Sequence, residues 1–476
     1  MARPTYDWTI MIYMTSNDLH SEQAAPVFLR DLNNVGREMK KHSKSGRVKI
    51  LLLSYGNWSR RHEKKAYYCR LYDIKAGFLK DDRVTLDIIN ANMGDGHTLS
   101  DFIGRCREFA PAKKYMLFLW GHGTGPGMLA YDFKEDESNI KYMKRFTDAV
   151  IKQPDPIDDV WDDNIIERQI LHKNSKHPTN VFWFNVSRHP KLKKYLPNET
   201  RLDCLTAKEI RRSLSHNFKK SPAKIDIVAI FGCAMQMVEF GYEIRKHCDY
   251  YVASEELMWW EGYDYKKTFT RLLRNPAMAP RDLAMFLIRD APKKPTYSKA
   301  EKKEIAISCV DLNQSEMLAE QIGMISHAIL AKWVTMKDYV KAARKKCYHL
   351  GEESFDSYID VTWFFKCLSR LIKQRPEHKN IYNMTTALVK FLERDYILTK
   401  YIGADRNIGV ESSTIGGHGV SIYMPYGKKD DSDNLQRLAF KRDSVYKVRF
   451  EKNEWNMLVS RFLRTIKDDE KYDKKL

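Results

Sequence analysis

The chain has 476 residues, 43% hydrophobic and 12% aromatic, enough apolar material for more than one packed domain and too much for a disordered or fibrous polypeptide. Its formal charge of +19 admits an acidic partner such as nucleic acid, yet the basic clusters (Lys40-Lys41, Arg60-Arg61, Arg344-Lys345-Lys346) are short and interleaved with acids. A solvated surface explains them as well, and nucleic acid stays a weakly supported partner; no apolar run approaches the roughly 20 residues that cross a bilayer, so no membrane partner is expected.

In chain order, residues 8–14 read as a buried strand, 24–39 as a helix and 48–55 as a second strand. The alternation of Tyr67, Cys69 and Leu71 suggests an antiparallel addition. A helix over 99–109 precedes a strand over 115–120, which breaks into Gly121-His122-Gly123-Thr124-Gly125. That turn lacks the Gly-Lys-Ser/Thr of a phosphate loop. A segment from about 133 to 202 follows, with prolines, charge clusters of both signs, an aromatic run at 181–184 that reads as an extra strand, and a basic stretch at 188–194. Connections this long are usually functional or disordered. Next come a helix over 206–215, a strand over 225–231 ending at Gly232-Cys233, a helix opening at Ala234 and running to 246, and a strand over 250–253. The alternation predicts an α/β fold with an open, mostly parallel sheet, and functional side chains at the strands' carboxyl ends. After a strand over 305–310, residues 314–346, 357–374 and 383–394 have helical amphipathicity; 418–424 returns as a strand and 451–467 closes as a helix. The expected organisation is a first domain over 1–311 with the insertion, a helical accessory domain over 312–410, and a returning strand with terminal helix over 411–476.

His122 and Cys233 each lie where an apolar run breaks into small residues, which would bring imidazole and thiol to one rim of a parallel sheet. A thiol becomes nucleophilic on losing its proton, and an adjacent imidazole or helix N-terminus lowers its pKa from about 8.5. The imidazole can return that proton to a leaving amine while backbone N–H groups hold the oxyanion. A buried structural cysteine and an unrelated loop histidine fit the spacing equally well. His418, flanked by Gly417 and Gly419, is the rival imidazole, though it precedes a strand.

Further residues resemble the clostripain family of cysteine peptidases, relatives of caspases, gingipains and legumain. They are Trp8-Thr9-Ile10-Met11-Ile12-Tyr13-Met14 with Asn17-Asp18-Leu19, then Trp120-Gly121-His122-Gly123, Gly232-Cys233-Ala234-Met235, Val252-Ala253-Ser254-Glu255-Glu256, Gly262-Tyr263-Asp264-Tyr265 and Gly419-Val420-Ser421-Ile422-Tyr423-Met424-Pro425, in the family's order. The resemblance implies a caspase-like α/β/α sandwich and peptide-bond cleavage through a thioester acyl-enzyme. It implies His122 as general base and acid, Cys233 as nucleophile, the N–H groups of Gly123 and Cys233 as oxyanion hole, a protein or peptide substrate, and no metal or organic cofactor. Some relatives respond to calcium, and Asp158-Asp159 and Asp162-Asp163 would suit an ion.

Family members that cut after Arg or Lys carry an Asp two residues before the nucleophile, and here that residue is Phe231. A desolvated cation needs a carboxylate. Glu255, Glu256 or Asp264 would supply it, or else Phe231 with Trp259 and Trp260 would wall an apolar pocket; Ser254 borders the same site. Proenzymes of the family are cut between the His and Cys strands, so the 133–202 insertion is where an activation site, lid or regulatory partner would fall. The start at Met1, without a hydrophobic leader, and eight scattered cysteines with no C-x-x-C pair predict a reducing, cytoplasmic setting and a latent enzyme. The alternatives are an inactive caspase-like binding protein, a nucleic-acid-associated basic protein, and small-molecule acyl transfer by the same residues.

Overall fold

The computed structural model of the chain describes residues 6–15, 19–42, 46–56, 68–78, 87–89, 93–123, 127–132, 201–219, 222–256, 258–259, 261–299, 302, 305–347, 358–403, 418–425 and 448–473. The strands are β1 (Tyr6–Thr15), β2 (Val48–Gly56), β3 (Tyr68–Asp73), β4 (Asp87–Ile89), β5 (Ala112–Trp120), β6 (His122–Gly123), β7 (Gly127–Asp132), β8 (Arg201–Thr206), β9 (Ile225–Phe231), β10 (Cys248–Ser254), β11 (Ala306–Asp311), β12 (Tyr358–Asp360), β13 (Ile397–Ile402) and β14 (Ser421–Tyr423). Among the described residues a nine-stranded sheet runs β13-β11-β10-β9-β5-β1-β2-β3-β4. Its centre, from β10 to β2, is parallel, and antiparallel pairs flank it on both sides.

The apolar runs are continuous because the central strands are covered on both faces. In β1, Ile10, Ile12 and Met14 enter one core and Met11 and Tyr13 the other. The first core packs under α1 (Leu19–Met39), α5 (Tyr265–Arg274) and α6 (Pro280–Asp290); Phe28 and Phe269 are fully buried there. The opposite face carries α2 (Gly96–Phe109), α3 (Ala207–Asn217) and α4 (Val238–Ile244). That second core continues into α7 (Ser315–Ala331), α8 (Trp333–Lys345), α9 (Val361–Ile372), α10 (Lys379–Phe391) and α11 (Glu454–Asp473), so the accessory helices extend the core of the sheet. The accessory region also donates β13, which pairs with β11 at the sheet edge.

The turn after Cys233 and the returning strand are placed by long-range pairing. β14 pairs with β12 in a small separate sheet and joins the chain near Cys233 through a bridge between Met237 and Ser421. The helix expected at Ala234 starts at Val238. Residues 234–236 instead pair with the end of β10: Ala234 donates to the Glu256 carbonyl at 2.9 Å and Gln236 to the Ser254 carbonyl at 2.8 Å. The expected 133–202 insertion, with its aromatic run and basic stretch, lies outside the described residues except for 201–202, the start of β8.

Candidate active site

Parallel pairing of β5 with β9 sets Trp120 beside Phe231, and the Gly121 N–H donates to the Phe231 carbonyl at 3.0 Å. The turns that carry His122 and Cys233 therefore leave the sheet side by side at its carboxyl edge. Their backbones touch: a Cβ on Gly123 would lie 2.2 Å from the Cys233 carbonyl oxygen, and one on Gly232 would lie 3.1 Å from the Gly123 nitrogen. Gly123 has room for hydrogen only, and a Cβ on Gly232 would be tight. His122 and Cys233 are half-buried, and the cysteine packs against both cores where the sheet ends.

Cys233 differs from five other cysteines. Cys106, Cys248, Cys309, Cys347 and Cys367 are all buried. Burial pushes the thiols of Cys106, Cys248, Cys309 and Cys347 up, and that of Cys367 to about 11, so these favour the inert thiol. α4 starts at Val238, five residues after Cys233, so its N-terminus does not follow directly on the thiol. A different donor serves instead: the Met258 N–H points at the Cys233 sulfur, 3.3 Å away. Backbone donors of this kind carry no side-chain signal, and the sequence reading missed this one. Ala234, the next residue, has φ of 52°, a left-handed conformation that costs an L-residue about 1–2 kcal/mol. Such strain persists where surrounding structure fixes it, here the Ala234 N–H bond to Glu256.

The expected pocket residues have varied surroundings. The Phe231 ring stacks on Trp120, with centroids 4.9 Å apart and planes 6° from parallel, and presses on Gly262, where a Cβ would come within 2.8 Å of the ring. Ser254 is fully buried and donates to the Ala306 carbonyl at 3.0 Å. Glu255 is fully buried, and its carboxyl accepts the Gly419 N–H at 2.9 Å. The backbone of Glu256 is tied to Ala234, one residue from Cys233. Trp259 is half-buried against the core that holds Phe231, and Trp260 lies outside the described residues. Asp264 caps α5, accepting the Lys267 N–H at 3.0 Å, and burial raises its carboxyl above the ordinary range.

His418 is placed otherwise. Its ring stacks on Trp363 with centroids 5.7 Å apart, Nδ1 lies 3.3 Å from Asp360 Oδ1, and Nε2 lies 3.0 Å from Lys366 Nζ. Those contacts fasten it to α9 and β12. Among the described residues no cluster of His, Cys, Asp and Glu is arranged to hold a metal ion.

A sheet of this order, with a half-buried thiol and an imidazole on interlocked turns at its carboxyl edge, is the architecture of a caspase-like hydrolase. The chain belongs to the clostripain family of cysteine peptidases: the sequence pattern of that family matches residues 187–459, more than half of the 476, a span that includes Cys233 but not His122. Clostripain of Hathewaya histolytica is 27% identical over 187 residues, 38% of this chain and 25% of its own length, so the match spans about a quarter of that relative. Three solved structures share the fold. A secreted C11 cysteine protease of Bacteroides thetaiotaomicron, solved with an irreversible peptide inhibitor, has 14% identity and a TM-score of 0.52, covering 92% of this chain and 97% of that one. Iotapain, a secreted C11 cysteine protease of the same organism, has 11% identity and a TM-score of 0.55, covering 94% and 99%. An inactive zymogen C11 protease of Parabacteroides distasonis has 14% identity and a TM-score of 0.52, covering 94% and 98%.

Proposed function

We propose that the chain is an endopeptidase in which Cys233 attacks the scissile carbonyl and His122 takes the thiol proton and delivers it to the leaving amine. The observation that carries the reading is the interlock of the two glycine-bearing turns, which sets His122 and Cys233 on adjoining backbone. A thioester forms as the C–N bond breaks, and water then hydrolyses it with the imidazole as base. The N–H groups of Gly123 and Cys233 serve the oxyanion in this reading.

A basic residue before the cut is the proposed preference, with Glu256 as its carboxylate, because the Ala234 N–H anchors the Glu256 backbone beside the nucleophile. A fluorogenic panel varied at that one position tests this. Arg and Lys substrates should turn over, and Glu256→Gln should cut kcat/KM for them by about 100-fold while sparing apolar ones, since an unpaired desolvated cation costs several kcal/mol. Turnover of apolar substrates with refusal of Arg and Lys would make Phe231 and Trp259 the determinants.

Latency is part of the proposal, by extension from the neighbour solved as an inactive zymogen. β7 and β8 pair with Asp132 opposite Arg201, so after a cut between them the two fragments would still be joined by the ladder. Purified wild type should mature to two fragments that stay associated, and Cys233→Ala should stay a single chain if the cut is autocatalytic. A reducing setting is proposed with it, in keeping with the six cysteines that are free among the described residues.

A further inference from the structure

The chain leaves Cys233 as an irregular limb, residues 234–237, that is clasped by backbone from two sides. Toward the end of β10, the Ala234 N–H donates to the Glu256 carbonyl at 2.9 Å and the Gln236 N–H to the Ser254 carbonyl at 2.8 Å. Toward the returning segment, the Gln236 carbonyl accepts the Ser421 N–H at 2.9 Å and the Ser421 hydroxyl at 3.2 Å. Gln236 is thus the residue at which the two sides of the clasp meet.

Its side chain adds a third tie. Gln236 and Ser308 are both buried, and Gln236 Nε2 lies 2.9 Å from Ser308 Oγ in β11. The Ser308 hydroxyl has one hydrogen, which it gives to the Gly419 carbonyl, a group that can only accept. Ser308 Oγ must then accept from Gln236, so the amide nitrogen, not the amide oxygen, faces it. Gly419 has φ of 105°, and a Cβ there would come within 2.9 Å of Ser308 Cβ, so the returning chain passes this close to β11 only as glycine. The limb itself needs such support. Ala234 is held in the left-handed region, a conformation that persists where neighbours over-determine it. A limb that relaxed toward α4 would draw the thiol away from the Met258 N–H and from the His122 turn.

We propose that Gln236 is a positioning residue for Cys233, which through Ser308 fastens the limb behind the nucleophile to β11 and to the returning segment at Gly419. The proposal rests on Cys233 being the nucleophile, and it gives residues 419–421 a part in setting where the thiol stands.

Gln236→Met keeps the length of the side chain and removes the amide, and Ser308→Ala removes the hydroxyl that receives it. Each should lower kcat for peptide cleavage by about tenfold or more with KM held within about twofold, because the lost tie is felt at the reacting atoms and not in substrate binding. The double variant should fall no further than the more impaired single, since both changes break the same chain of bonds. Alkylation of Cys233 by iodoacetamide, located by mass spectrometry, should slow by about threefold or more in each as the sulfur loses its alignment with the Met258 N–H and the imidazole, a readout that needs no peptide turnover. Ser308→Ala removes a single oxygen and keeps the test open should Gln236→Met fail to fold. Folded variants with kcat within twofold of wild type, losses confined to KM, losses that multiply in the double variant, or unaltered Cys233 alkylation overturn the proposal. Unimpaired peptidase activity in Cys233→Ala would instead overturn the nucleophile assignment on which it rests.

Discussion

Gly123 and Gly232 set the closeness of the two site turns, and a single methyl there is a sharp probe. Gly123→Ala would drive its Cβ to 2.2 Å from the Cys233 carbonyl oxygen, and the turns must part to admit it. A fold that holds while the turns separate should lose 100-fold or more in kcat/KM, since about 1 Å of misplacement costs roughly that much. Circular dichroism with peptide-cleavage kinetics checks both halves of this expectation. A second residue-scale prediction concerns Glu239, buried in α4, where it accepts the Tyr423 N–H at 2.8 Å. Burial pushes its carboxyl up to about 7 from an ordinary 4.5, outweighing that hydrogen bond. The folded state thus holds a proton that the unfolded chain releases between those values, so this group's contribution to stability falls as pH rises from 4.5 through about 7. Glu239→Gln should flatten that part of the stability profile and gain on the order of 2 kcal/mol at pH 8 in urea unfolding.

At the scale of elements, the strands that build the site were the most legible from sequence, because β1, β5 and β9 are buried on both faces and so appear as unbroken apolar runs. Helix α3 was also legible: Thr206 and Glu209 form a reciprocal capping box, with the Thr206 N–H donating to Glu209 at 2.9 Å. Thr206→Ala should cost about 1 kcal/mol in urea unfolding. The start of α4 was not legible. Residues 234–236 have helix-compatible side chains, and only the backbone bonds to Ser254 and Glu256 pull them out of the helix. β13 was missed because its half-exposed pattern follows a helix without a glycine or proline break. The Met258 N–H at the Cys233 sulfur depends on backbone placement that no local spacing encodes.

Across the whole molecule, one core runs from the central sheet into the accessory helices, and β13 closes the edge of β11. A chain cut back to residues 1–311 would uncover that edge together with the apolar face under α7, α9 and α11. It should therefore aggregate or lose cooperative unfolding, whereas the full chain unfolds cooperatively. A monodisperse, cooperatively unfolding 1–311 fragment would show that the sequence boundary is an autonomous one.

The central claim is that Cys233 is the nucleophile and His122 its proton acceptor, and a peptide bearing an electrophilic warhead tests it most directly when the adduct is located by mass spectrometry. The adduct should form on Cys233, vanish in Cys233→Ala, and form at least tenfold more slowly in His122→Ala. An adduct on another cysteine, or equal labelling rates in wild type and His122→Ala, would contradict it.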